Sequence, residues 1–152
     1  MPKTKEIDLS VIVPVYNEAG TIAEIIRRVI STRLVKEIIV INDGSTDSTP
    51  EILQKIQRQS EIKIIHHTRN LGKGAAVRSG LRAATGDLIL IQDADLEYDP
   101  RDYPVLLQPI REGLADVVYG SRFLGGPRRP ILFWNMVANK MLTLTTNILY
   151  NN

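Results

Sequence analysis

The feature that most constrains the fold is a repeating alternation of apolar run, polar turn and helical pattern. Short aliphatic runs stand at residues 9–13 (Leu-Ser-Val-Ile-Val), 37–41 (Glu-Ile-Ile-Val-Ile), 62–65 (Ile-Lys-Ile-Ile) and 88–91 (Leu-Ile-Leu-Ile). The last of these has no polar break and reads as a strand buried on both faces, as in parallel sheets. Pro14 is expected to end the first strand, because proline has no N–H for a ladder. Ile22, Ile25, Ile26, Val29 and Ile30 then recur at helical spacing, and Thr21 with Glu24 forms a capping-box pattern. Ser48 or Thr49 caps a second helix with Pro50 at its first position, and residues 75–84 make a small-residue helix. Asp99 and Pro100 open another helix, which Pro109 should kink or end. A short fifth strand is expected at 116–119 (Asp-Val-Val-Tyr), and residues 131–150 read as helical. Strands alternating with helices imply right-handed βαβ units, hence an α/β fold whose parallel sheet is covered on both faces.

That topology makes the loops informative together, since ligands of such sheets bind outside the carboxyl ends of the strands. Tyr16, Asn17 and Glu18 follow the first strand, and Asn42, Asp43, Ser45 and Asp47 the second. Asn70 and Lys73 follow the third, Asp93, Asp95 and Glu97 the fourth, and Ser121 and Arg122 the fifth. Residues two apart on an extended chain point the same way, so Asp93, Asp95 and Glu97 could present three carboxylates together. A hard divalent cation is the natural partner of such a group, and a solvated acidic turn is the alternative. Convergence with four other loops favours the cation. Lys73 and Arg122 beside it would suit a metal-bound diphosphate.

Composition narrows the classes. A chain of 152 residues suffices for one domain with a core, and a net charge of +2 without a long basic run gives no reason to expect nucleic acid. Cysteine is absent, which excludes disulfides and thiolate metal sites. No apolar run reaches the ~20 residues that span a bilayer, and the first residues hold no signal-peptide core. A cytoplasmic location is expected. Gly72, Lys73 and Gly74 do not make a Walker loop, because His67 stands where its first glycine belongs and Gly74 where Ser or Thr belongs. The dinucleotide fingerprint fails at Val77. An aspartyl-nucleophile phosphatase would carry its Asp-x-Asp after the first strand, not the fourth. His66 and His67 are neighbours that should point apart, so ordinary sheet positions are expected for them rather than a shared metal.

With these residues laid out, the chain resembles the family 2 glycosyltransferases of GT-A fold, and within them the branch of dolichyl-phosphate mannose synthases and polyprenyl-phosphate glucosyltransferases. The matching blocks are Val-Pro-Val-Tyr-Asn-Glu at 13–18, Ile-Asn-Asp-Gly-Ser-Thr-Asp at 41–47 and Asn-Leu-Gly-Lys-Gly at 70–74. Gly86-Asp87, Gln-Asp-Ala-Asp-Leu-Glu at 92–97 and Gly-Ser-Arg-Phe at 120–123 complete the set. The resemblance implies a GT-A (Rossmann-like) three-layer sandwich with a mainly parallel sheet. It implies a nucleotide-sugar-binding catalytic domain over residues 1–130, with 131–152 starting an acceptor or membrane-proximal region that continues past Asn152. Pro14, Tyr16, Glu18 and Asp43 would hold the base and ribose of a GDP- or UDP-hexose, with Lys73 a further donor to it. Asp93, Asp95 and Glu97 would hold Mg2+ or Mn2+ against the diphosphate, and Arg122 and Arg128 or Arg129 would meet phosphates of donor or acceptor. Asp95 and Arg122 are the residues assigned to catalysis. Many relatives carry two aspartates where Asn42-Asp43 stands here, so one carboxylate is lost.

The implied reaction is metal-dependent, inverting transfer of a hexose to a polyprenyl phosphate. Transfer to a saccharide hydroxyl, or a binding fragment without turnover, are the alternatives. The apolar stretch 131–150, with Phe133, Trp134 and Met141, covers a core, meets another subunit, or lies at the cytoplasmic face of a membrane beside Arg128 and Arg129.

Overall fold

The computed structural model describes residues 7–57 and 61–120. Four strands alternate with helices: β1 (Leu9–Val15), α1 (Ile22–Ser31), β2 (Val35–Asn42), α2 (Thr49–Ile56), β3 (Ile62–His66), α3 (Lys73–Ala83) and β4 (Leu88–Ile91). A 3-10 turn at Pro100–Asp102 then leads into α4 (Tyr103–Arg111). All pairings are parallel and the strand order is β3-β2-β1-β4. Among the described residues no helix is long and apolar enough to cross a membrane.

The period of two along β1 and β2 divides the core. Leu9, Val11, Val13 and Val15 of β1 and Ile38 and Val40 of β2 pack against Ile22, Ile25, Ile26 and Val29 of α1, Leu53 of α2, and Tyr103 and Leu107 of α4. Ile12, Ile39 and Ile41 face the opposite way, onto Ala76 of α3. The result is a three-layer α/β sandwich. Alanine and glycine on α3 let it lie close to the sheet: a Cβ at Gly80 would overlap the side chain of Ile12.

Several local expectations are corrected. Pro14 does not end β1, which runs on to Val15 with Pro14 opposite Ile41. β4 reaches only as far as Ile12 on the other side, so proline's missing N–H falls where no ladder bond is asked of it. Thr21 and Glu24 form no capping box. The Thr21 hydroxyl donates to Glu18 Oε2 at 2.6 Å, while Glu24 pairs with Arg27 and Arg28. Pro109 does not end α4, which continues to Arg111. The carbonyl deprived of its partner is that of Val105, which is exposed and can be served by water.

Two corrections bear on the sheet. β4 is not buried on both faces: Leu88 and Leu90 pack inward while Ile89 and Ile91 are 39% and 50% exposed. Its apolar run is that of a central strand, but among the described residues it stands at an edge of the sheet. The expected fifth strand at 116–119 is not formed. That segment has no regular structure, and Val117 is exposed. A strand needs a neighbour for its backbone groups, and among the described residues none lies beside it. The helix expected at 131–150 lies outside the described residues.

Asp99 ties the turn before α4 to α1. Its carboxylate accepts from the Arg101 amide at 3.0 Å and from Arg101 Nη2 at 2.7 Å, and Arg28 Nη1 stands 3.9 Å away. The Arg101 guanidinium holds this nearly buried carboxyl down at about 2, against the burial that would raise it. A lowered native pKa means stability that is present above the unfolded value and lost as pH falls through the folded one. Asp99→Asn should therefore be less stable than the parent near neutral pH by roughly 1–2 kcal/mol, Arg101 being exposed and screened. Urea titrations should show that gap closing between about pH 4 and about pH 2; a gap constant across the window would refute the linkage.

Candidate functional site

β1 is the point where the winding of the sheet reverses, because β2 lies on one side of it and β4 on the other. The loops leaving β1 and β4 diverge there and open a crevice. A cleft of about 330 Å3 lies at that place, lined by Pro14, Tyr16 and Glu18 from the first loop, Asp43 from the second, Asn70, Gly72 and Lys73 from the third, and Asp93 and Asp95 from the fourth. Its size is that of small-molecule sites.

Side-chain to backbone bonds stitch the loops into one rim. Asn17, in a left-handed conformation at φ 55°, accepts at Oδ1 from the amides of Thr46 at 2.8 Å and Asp47 at 3.3 Å. The Asn17 amide donates to Ser45 Oγ, the Glu18 amide to Thr49 Oγ1, and the Ala19 amide to Asp47 Oδ2. These bonds fix the first loop on the second and leave Tyr16 44% exposed at the cleft. Gly44 has φ +70°, and a Cβ there would strike the backbone of Arg69, so the second and third loops touch through a glycine.

Asp43 is the hub between those two loops. Its carboxylate accepts from His67 Nδ1 at 2.6 Å and the Leu71 amide at 3.0 Å on Oδ1, and from the Gly72 amide at 2.8 Å on Oδ2. Burial works to raise its pKa, but the His67, Leu71 and Gly72 donors outweigh it and hold the carboxyl below the usual range. The third loop in turn starts α3 at Lys73, whose Nζ stands 2.6 Å from Asp93 Oδ1 across the cleft. With Lys73 63% exposed, that pair contributes little to stability and is free to rearrange around a ligand.

The structure thus brings Pro14, Tyr16, Glu18, Asp43, Lys73, Asp93 and Asp95 to one cleft. It does not bring the three carboxylates together as expected. β4 ends at Ile91, and Leu96 adopts φ 63° within a turn in which the Glu97 amide donates to Asp95 Oδ1 at 2.9 Å. An extended chain would have aligned the three side chains; the turn removes Glu97 from the cleft wall. Among the described residues no group of three or more His, Asp or Glu is placed to hold a metal. What remains is Asp93 and Asp95, two hard oxygen donors on one wall. They are too few for a closed protein site, but they fit a cation shared with substrate phosphates, for which one or two carboxylates suffice. Arg122, Arg128 and Arg129 lie outside the described residues.

His67 is the residue that sequence reasoning missed. It does not occupy a sheet position: β3 ends at His66, whose ring meets Asn42, while His67 turns the other way to Asp43. The available signal was its place one residue past a strand, on the rim that carries Asp43.

Residues 10–150 match the family model "Glycosyl transferase family 2". This chain belongs to that family. The family 2 domain is 36% identical over 120 residues to a dolichol-phosphate mannosyltransferase of Pyrococcus furiosus, covering 78% of this chain and 34% of that protein. It is 40% identical over 116 residues to an undecaprenyl-phosphate 4-deoxy-4-formamido-L-arabinose transferase of Salmonella choleraesuis, covering 72% and 35%. Among solved structures it resembles the mannosyltransferase PcManGT of Pyrobaculum calidifontis in complex with GDP-Man and Mn2+, with a TM-score of 0.60 at 30% identity over 69% of this chain and 32% of that one. It also resembles S. aureus TarS 1–349 in complex with UDP-GlcNAc, with a TM-score of 0.62 at 27% identity over 80% and 37%. The fold is therefore the GT-A α/β fold of this family. The chain spans about a third of the length of the curated relatives it matches.

If Asp43 holds the third loop of this family 2 domain, Asp43→Ala should free the Leu71 amide and leave the Gly72 amide only its bond to Asn70 Oδ1. Their hydrogen exchange should accelerate selectively, by about tenfold or more, ahead of the β1 and β2 amides. Equal acceleration everywhere, or none, would show that the hub is not local.

Proposed function

We propose that the cleft binds a nucleoside-diphosphate hexose and that the protein is a metal-dependent, inverting glycosyltransferase acting on a polyprenyl phosphate. The observation that carries this reading is the meeting of Lys73, Asp93 and Asp95 with Tyr16 and Asp43 in one cleft at the sheet's reversal point. Relatives named for transfer to dolichol phosphate and undecaprenyl phosphate support the acceptor class, and structures titled with GDP-Man or UDP-GlcNAc support the donor class.

The base and ribose lie against Pro14, Tyr16, Glu18 and Asp43. Tyr16 offers an exposed ring for stacking and Asp43 an acceptor for a base N–H. Asp93 and Asp95 would hold Mg2+ or Mn2+, which when bound supplies Lewis-acid stabilisation of the leaving diphosphate. Lys73 leaves its contact with Asp93 to donate to a phosphate oxygen, placing positive charge where negative charge develops. Arg122 adds a second such donor, and Arg128 or Arg129 meets the acceptor phosphate. A phosphate nucleophile is already anionic near neutral pH, so the chemistry asks less of a general base than a sugar hydroxyl would.

Asp95→Ala should abolish transfer from a radiolabelled GDP- or UDP-hexose to a polyprenyl phosphate while the unliganded melting temperature stays within a few degrees. Near-parental turnover in that variant would remove the metal assignment. Product formed on oligosaccharide but not on lipid phosphate would favour the saccharide-acceptor reading, and metal-dependent binding without any turnover would favour a binding fragment.

Residues 131–152 are proposed to lie at a membrane surface next to the acceptor. Flotation with liposomes containing anionic lipid should be lost when these residues are deleted; equal flotation with and without them would defeat this part of the reading.

A further inference from the structure

We infer that His67 is a positioning residue for the nucleotide, acting through Asp43 from behind the cleft. The inference rests on the nucleotide-sugar reading of that cleft. His67 is itself absent from the cleft wall, so it touches no ligand there. Its side chain is nine-tenths buried, and both ring nitrogens are engaged: Nδ1 with Asp43 Oδ1 at 2.6 Å and Nε2 with Ser79 Oγ of α3 at 2.9 Å. Its amide donates to the Asn42 carbonyl at 2.8 Å, which pins the backbone beside the end of β2.

The chemistry of the pair fixes the direction of the bond. An ionised carboxylate only accepts, so Nδ1 carries the proton and donates it to Asp43, and the Ser79 contact holds the ring in that plane. The donors also fix what Asp43 has left. Oδ1 receives two hydrogen bonds, from His67 and Leu71, which fills its lone pairs; Oδ2 receives one, from Gly72. One acceptor position on Oδ2 therefore remains for a ligand N–H. Without His67, the carboxylate keeps only its two amide donors and can rotate, so that the remaining acceptor is no longer aimed. The same bonds hold the loop that delivers Lys73, so His67 sets two contacts of the donor while making none.

Isothermal calorimetry on the full chain with UDP and with GDP, each with Mn2+, tests this, with unliganded melting temperatures measured in parallel. His67→Ala should weaken whichever nucleotide the parent binds by about tenfold to a hundredfold, the value of a hydrogen bond to a charged group. His67→Asn retains an N–H close to Nδ1 and should restore affinity to within about threefold. Affinity unchanged in His67→Ala would overturn the inference, even with a lowered melting temperature, because a purely structural histidine predicts that combination. An asparagine variant as impaired as the alanine variant would overturn it too. If His67→Ala yields no folded protein, Ser79→Ala takes its place: weakened binding supports the positioning role and parental binding refutes it. A parent that binds neither nucleotide overturns the reading of the cleft and this inference with it, whereas a parent that binds and a variant that binds equally well overturns this inference alone.

Discussion

β1 carries a parallel ladder on each side, to β2 and to β4, and the rest of the molecule depends on that double pairing. Over Leu9–Ile12 the strand is paired on both edges, so this stretch lies inside the sheet and its faces are covered by side chains from helices. Its odd-numbered residues meet α1, α2 and α4, while Ile12 meets α3. Because every strand runs the same way, every strand exit falls on one rim. The polar loops gather there without any one of them needing to specify it.

The rim is rigid for a different reason. Its connections are side-chain bonds to backbone amides rather than ladders: Asn17 to Thr46 and Asp47, and Asp43 to Leu71 and Gly72. A buried carboxylate left unpaired is costly, so Asp43 draws three donors from the third loop's neighbourhood and becomes its anchor. Order therefore passes from β2 through Asp43 to the loop that presents Lys73. The Lys73–Asp93 contact closes the circle electrostatically, with an exposed, weak pair that a stronger charge can displace.

Much of this was legible in the residues. The β-branched runs and the isoleucines of α1 specify strands and helix through their periods, and the parallel topology then places the loops. What escaped depends on neighbours in space. The run at 88–91 looks fully buried, yet burial depends on which strands lie beside it, and among the described residues Ile89 and Ile91 are exposed. The three acidic residues at alternate positions look aligned, but alignment holds only for an extended chain, and Leu96 at φ 63° breaks it. Residues 116–119 have a strand's composition but pair with no strand among the described residues. The importance of His67 depends on an aspartate 24 positions away, a distance no local pattern spans.

The free side of β4 has a cost that concerns handling rather than catalysis. Among the described residues its outer amides and carbonyls have no ladder partner, and two isoleucines flank them. Open backbone next to branched aliphatic side chains is a template onto which a second copy can add its own strand. Within residues 7–57 and 61–120 that edge has the character of such a template, and a charged residue in place of Ile89 would be the direct way to blunt it.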